Sequence, residues 1–226
     1  MKLFNAILLM LFFTSCSTGK NDEGQLKSNQ SNKDYSYWFK GKAELNSYDL
    51  KQSRYGELRE GHAVLIFVTE DFNTKLQVKA DYPDKVPSEK VMKLNFTKKF
   101  NTGIYPYSTM TSVFSPLYPK TGFPKAIKVS TSSQEWCGHT FMQLNRKSKG
   151  YQLQQYSYFE SEADKILEID PNYLEDEIWN IIRLEPENLP LGEINIFPSS
   201  LNIRLKHIGN EIQKANAELL EKGEQN

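Results

Sequence analysis

The chain has 226 residues, of which 38% are hydrophobic, 25% charged and 12% aromatic, and its formal net charge is zero. That length suits one domain, or one with a small appendage, and the balanced charge argues against nucleic acid, which needs a basic patch. A glycine-rich phosphate loop, a His-Glu-x-x-His pair and EF-hand spacing are all missing, so no cofactor is expected; 12 Tyr and 13 Phe favour strands and hence a mainly β fold.

Lys2 precedes an apolar run from Leu3 to Phe13, broken only by Asn5. The run is too short for an ordinary spanning helix. It has the basic start and short apolar core of a secretory signal. Its end, Phe13-Thr14-Ser15-Cys16, resembles a bacterial lipobox. The resemblance implies cleavage before Cys16, a diacylglyceryl thioether on its sulfur and N-acylation. Residues 1–15 are then a lipoprotein signal peptide, and the membrane is a partner through the Cys16 anchor. Each buried CH₂ of an acyl chain adds roughly 0.8 kcal/mol, so two or three chains hold the protein without a spanning helix.

Residues 16–34 carry the lipidated cysteine and a tether rich in Ser, Asn, Lys and Gln, with Leu26 the only large apolar side chain after Cys16. Such a segment buries too little surface to order itself, and a flexible run of this length reaches roughly 20–25 Å. Ser17 is not Asp, which by resemblance to lipoprotein sorting points to the outer membrane, with the body facing the periplasm. Lys20-Asn21-Asp22-Glu23 resembles a surface-export signal of Bacteroidota lipoproteins and keeps the cell surface as an alternative.

The body is expected over residues 35–207. Lys42 to Arg54 reads as a strand. Gly61 to Phe72 reads as a central strand covered on both faces, because Ala63-Val64-Leu65-Ile66-Phe67-Val68 is continuously apolar. His62 sits at its mouth. A short strand is expected at Lys75–Lys79 and a proline-rich loop over residues 81–88. Val91 to Phe100 and Tyr105 to Phe114 alternate and flank Asn101-Thr-Gly103, so they predict a hairpin; Lys98 and Lys99 are expected to be solvated.

Ser132 to Phe141 concentrates the unusual chemistry: Glu135, Trp136, Cys137 and His139 lie within five residues. Read as one strand, it points Glu135, Cys137, His139 and Phe141 to one side. A Cys–His pair oriented by Glu135, or a partial zinc site from the same three residues, fits that facing. The plainer reading is a core strand in which Cys137 is a small buried hydrophobe and His139 lies at the rim. With Cys16 acylated, Cys137 is the last free thiol, and burial beside Trp136 and Phe141 is its expected fate. Tyr151 to Glu160 returns as a hairpin partner, in one of two registers that place either Gln154, Tyr156 and Tyr158 or Leu153, Gln155 and Phe159 beside the Glu135 face.

Leu174, Ile178, Ile181 and Ile182 predict a helix over residues 172–184, with Glu175, Asp176 and Glu177 in its first turn and Pro186 after its end. Gly192–Phe197 and Leu201–His207 read as a closing strand pair. Residues 208–226 read as a polar helix and tail, from Ile212, Ala215 and Leu219.

Tyr37-Trp-Phe-Lys-Gly-Lys-Ala-Glu-Leu-Asn-Ser-Tyr, Leu94-Asn-Phe-Thr-Lys-Lys-Phe-Asn-Thr-Gly-Ile-Tyr-Pro-Tyr and Ser133-Gln-Glu-Trp-Cys-Gly-His resemble uncharacterised lipoproteins of Bacteroidota. Such proteins often bear the label "septum formation inhibitor Maf". The Ser-x-Ser-Pro-Arg motif of the Maf pyrophosphatases is missing, since Ser115-Pro116 is followed by Leu117, so no residue carries over from them. The element order is also similar to periplasmic curved-sheet domains and lipoprotein-carrier half-barrels. That likeness implies a curved antiparallel sheet or open half-barrel with one or two C-terminal helices, able to hold an apolar ligand. The functional expectation is a lipid-anchored binding or scaffolding module for an apolar ligand or an envelope protein. The alternative is a thiol hydrolase or transferase using Cys137 and His139.

Overall fold

A computed structural model describes residues 35–118, 125–221 and 223. Cys16 and the segments expected to be a signal peptide and a tether lie outside the described residues. Among the described residues no helix is long and apolar enough to cross a membrane.

A 3-10 turn at Tyr35–Phe39 leads into strands β1 (Glu44–Arg54), β2 (Glu57–Asn73) and β3 (Val78–Lys79). They are followed by β4 (Ser88–Thr102), β5 (Tyr105–Pro116), β6 (Lys128–Glu135), β7 (Gly138–Arg146), β8 (Tyr151–Ser157) and β9 (Lys165–Ile169). These form one nine-stranded antiparallel sheet in the order β1-β2-β4-β5-β6-β7-β8-β9, with β3 also paired to β2. The sheet is open: β1 and β9 stay at its edges. Tight turns account for the meander. Tyr55 and Gly56 both adopt positive φ, as the primed turns of two-residue hairpins require.

The second layer comes from the C-terminal third. It comprises β10 (Tyr173–Leu174), a 3-10 turn at Glu175–Glu177, helix α1 (Ile178–Leu184), β11 (Gly192–Phe197), helix α2 (Ser200–Lys206) and β12 (Gln213–Ala217). β10 runs parallel to β11, and β11 antiparallel to β12. Three sequence expectations are corrected here. Leu201–His207 is a helix, because Ser199 caps it through Asn202 N and Glu175 and Asp176 accept the Ser199 and Ser200 amides. Residues 213–217, expected within a helix, instead pair with β11. The helix expected over residues 172–184 is present only as α1 from Ile178, because Tyr173–Leu174 pairs with β11 as strand β10 and Glu175–Glu177 forms a 3-10 turn.

One face of the large sheet is buried under this layer. Leu94, Val113, Val129, Leu144 and Leu153 stand side by side across five strands. They pack with Leu174, Leu184, Phe197 and Ile203 in one cluster. The face that a half-barrel carrier offers to an apolar ligand is therefore filled by the chain itself. β2 buries Ala63, Leu65 and Phe67 while Val64, Ile66 and Val68 stay half-buried, so it is packed on one side rather than on two.

Polar side chains pin the layers. Asn180 on α1 donates to Ser115 Oγ (3.0 Å). Glu177 accepts from Ala126 N (2.6 Å) and Leu174 N (3.1 Å). Arg183 grips Glu44 through Nε (2.8 Å) and Nη2 (2.6 Å), and this pairing holds the Glu44 carboxyl down at about 2. The acidic run Glu175-Asp176-Glu177 thus serves as internal hydrogen-bond acceptors for backbone amides.

Candidate functional site

The expected single strand from Ser132 to Phe141 is two strands. β6 ends at Glu135, β7 begins at Gly138, and Trp136 and Cys137 form the turn between them. A two-residue turn reverses the parity of the side chains. Glu135 pairs with Gly138 and Gln134 with His139, so Glu135 points inward while His139 points outward. The shared facing of Glu135, Cys137 and His139 is thereby corrected. Cys137, expected to be buried, is exposed at the tip. Among the described residues no group of three His, Cys, Asp or Glu side chains is placed to hold a metal ion.

Glu135 is claimed from below. It pairs with Arg204 Nη2 of α2, and Arg204 Nη1 lies 3.5 Å from Glu162 Oε1. The guanidinium also sits 4.0 Å from the centroid of the Phe159 ring. His207, in the left-handed region at φ 52°, closes α2 and places Nδ1 2.8 Å from Glu162 Oε1. Ser157 Oγ donates to Glu162 Oε2 at 2.7 Å. On the other side, the Tyr105 hydroxyl donates to Glu135 Oε2 (3.3 Å) and accepts the Cys137 amide. The hairpin tip is fixed at both corners: the buried Glu135 to α2, and the turn backbone to β5.

The upper side is different. His139 lines a groove of about 350 Å³ with Phe141, Tyr156, Tyr158, Gln134 and Asp164. Trp136 is 65% exposed, Tyr158 78% and Tyr156 49%. Tyr158 lies against Gly138, where an added Cβ would meet the Tyr158 Cβ and ring carbons at 2.8–3.1 Å, so the glycine is what lets this side chain settle onto the strand. Next to the groove, the outer face of the sheet carries two uncharged rows. One is Thr97, Met110, Ser132, Phe141 and Tyr156; the other is Asn95, Ser112, Ser130, Gln143 and Gln154. These ten positions across five strands carry hydroxyls, amides, rings and the Met110 thioether, and no charge; Ser112 among them is buried.

The register of β7 with β8 decides this outcome. Phe141 faces Tyr156 and Leu144 faces Leu153, so Leu153 and Gln155 turn inward and the Tyr156 side becomes surface. Arg204 and His207 escape a reading of the sequence because the α2 segment alternates like a strand, and Glu162 because it lies in the turn between β8 and β9. A capping signal is nonetheless present in Ser199, three residues ahead of Asn202. Comparison with family models, with curated proteins and with solved structures finds no match for this chain in any of the three.

Proposed function

We propose that the protein is a lipid-anchored binding module of the cell envelope, and that the outer face beside the β6–β7 hairpin is its binding surface. The anchor rests on the sequence from Leu3 to Cys16, with the outer membrane facing the periplasm as the address and the cell surface as the alternative. The observation that carries the binding role is the set of exposed rings Phe141, Tyr156 and Tyr158 on β7, β8 and the residue after β8, at the margin of an uncharged field of hydroxyls and amides. Solvent exposure of large rings is costly unless they meet a partner.

The ligand chemistry that suits this face is a neutral polyhydroxylated chain. Its C–H faces stack on rings, and its hydroxyls exchange hydrogen bonds with Gln134, Ser132, Gln143 and Gln154 without desolvating a charge. Affinity electrophoresis of the full chain through gels containing soluble neutral polysaccharides, together with co-sedimentation on purified peptidoglycan, tests the reading. Retardation or co-sedimentation that is lost in Tyr156→Ala and Tyr158→Ala is the expected result. Free migration in every gel, with no co-sedimentation, sinks it. A thiol enzyme remains the second reading because Cys137 is exposed. It lacks its orienting acid, since Glu135 is committed to Arg204.

A further inference from the structure

A second cleft lies on the inner side of the sheet, between the end of β1, β4 and α2. It encloses about 450 Å³ and is lined by Arg54, Tyr55, Lys98, Glu175, Asn202 and Lys206 among others. Three cations face one carboxylate there. Arg54 is buried, yet its donors go to neutral acceptors: Leu205 O, Tyr55 Oη (3.2 Å) and Tyr107 Oη (3.4 Å). Lys98, expected to be solvated, projects instead from the buried face of β4, in register with Thr109 and Ser133. Its ammonium leans over the Phe96 ring at 4.8 Å, and it makes no ion pair among the described residues. Burial pulls its pKa down, against the opposing pull of Asp176 and Glu175. Among the described residues Glu175 is the only carboxylate in the cleft wall, and it accepts the Ser199 amide at 2.7 Å.

Desolvated cations normally come with a bonded carboxylate, because burial of an uncompensated charge is costly. Here Arg204 has a bonded carboxylate, whereas among the described residues Arg54 and Lys98 have none: Glu135 acts on Arg54, and Asp176 and Glu175 act on Lys98, only from beyond ion-pair distance, at a cavity wide enough for a small molecule. We infer that this cleft binds a compact oxyanion, a phosphate or carboxylate ligand, held by Lys98 and Lys206 against the Arg54 wall. This site is independent of the outer face and of whatever that face binds.

The test uses the full chain with inorganic phosphate and citrate as probes, with sodium chloride of equal ionic strength as control. Thermal stability is expected to rise with either probe and not with chloride. Loss of the Lys98 charge removes a charge-assisted contact, so K98Q and K98M are expected to bind about tenfold more weakly or worse. In protein with ¹³C-labelled lysine, the ε-carbon of Lys98 is expected to titrate at higher pH when the probe is present, a change that a merely structural lysine would not show. If the folded wild-type chain responds equally to chloride, or if Lys98 titrates identically with and without both probes, the site does not exist. If only citrate acts, the carboxylate arm stands and the phosphate arm falls; if only phosphate acts, the reverse holds.

Discussion

The two sides of the β6–β7 hairpin are built on opposite rules. Beneath it, Glu135, Arg204, Glu162, His207 and Ser157 are closed on one another, with Arg204 and Glu135 almost wholly buried. Above it, Phe141, Tyr156 and Tyr158 are left to solvent beside two uncharged rows, in a groove whose wall includes one acid, Asp164. Consecutive residues serve the two sides: Gln134 belongs to the groove and Glu135 to the ion-pair cluster. The difference teaches that most of the charge in this region fixes the hairpin, while the chemistry presented outward is mainly neutral and aromatic, with Asp164 holding the Ser157 amide. Substitutions on the two sides should therefore separate stability from binding.

The largest effect is expected below. Arg204→Ala leaves Glu135 and Glu162 buried without their cation, a change that costs about 3–5 kcal/mol in comparable buried pairs. Urea unfolding monitored by tryptophan fluorescence reads the loss; a change under about 1 kcal/mol would mean the cluster is wetter than its burial indicates. Arg204→Met, which keeps the stem packed on Phe159 but still strands the acids, should recover only part of it.

Next in size is a pH effect at the anchor of α1. Burial pushes the Glu177 carboxyl up to about 7, against the opposing pull of the Ala126 and Leu174 amides. Asp176 is raised the same way, to about 6. A raised carboxyl keeps a proton in the folded chain that the unfolded chain has already released. Stability contributed by Glu177 is then full below about pH 4.5 and declines as pH rises to about 7, by something on the order of 3 kcal/mol. Glu44 has the opposite sign, and its contribution is lost only as pH falls from the normal carboxyl range through about 2. Glu177→Gln should flatten the decline between pH 4.5 and 7 relative to wild type. An unchanged slope in the variant would show that Glu177 is ionised at no cost.

At the tip itself the expected effect is kinetic. Cys137 is exposed, so a thiol reagent should label it in the folded chain within a few-fold of the rate in urea. His139→Gln should leave the labelling rate at neutral pH where it was. A rate that falls with loss of His139 would revive the thiol–imidazole reading despite the parity of the turn.

Much of the sheet was legible because local and global signals agreed. β4 and β5 alternate apolar and polar side chains and meet at Gly103, which adopts φ 63°. The open sheet with C-terminal helices follows from that pattern and from the change of period after Pro171. The candidate site was not legible, and one turn explains why. Trp136-Cys137 lacks the Asn-Gly or Asp-Gly signature of two-residue hairpins, and neither residue adopts positive φ. Nothing in the sequence marks the reversal, and a missed two-residue turn puts His139 on the wrong face. In α2 the misleading signal was periodicity. Leu201, Ile203 and Leu205 alternate as in a strand, but a seven-residue helix enclosed on several sides also buries Ser200 and Arg204. β12 has the reverse problem: Ile212, Ala215 and Leu219 have helical spacing, yet the backbone of residues 213–217 finds its partner in β11. Lys98 was misread because its neighbour Lys99 is exposed, while alternation along β4 turns Lys98 inward.

The smallest effect on stability is expected on the outer side, and it is also the sharpest test of the comparison. Tyr158 is 78% exposed, so Tyr158→Ala should change the unfolding free energy by no more than about 0.5 kcal/mol. Gly138→Ala acts on the same ring from beneath, since the new methyl would sit within 2.8–3.1 Å of Tyr158 atoms and must tilt the ring off the strand. Both variants should fold, and both should lose retardation in the polysaccharide gels, by removing the platform in one case and displacing it in the other. If Gly138→Ala keeps full binding while Tyr158→Ala loses it, the ring acts as a mobile contact rather than a fixed platform. If both bind normally while Arg204→Ala, although folded at low temperature, does not, the functional surface lies on the side of the ion pairs and the division between the two sides is the wrong one.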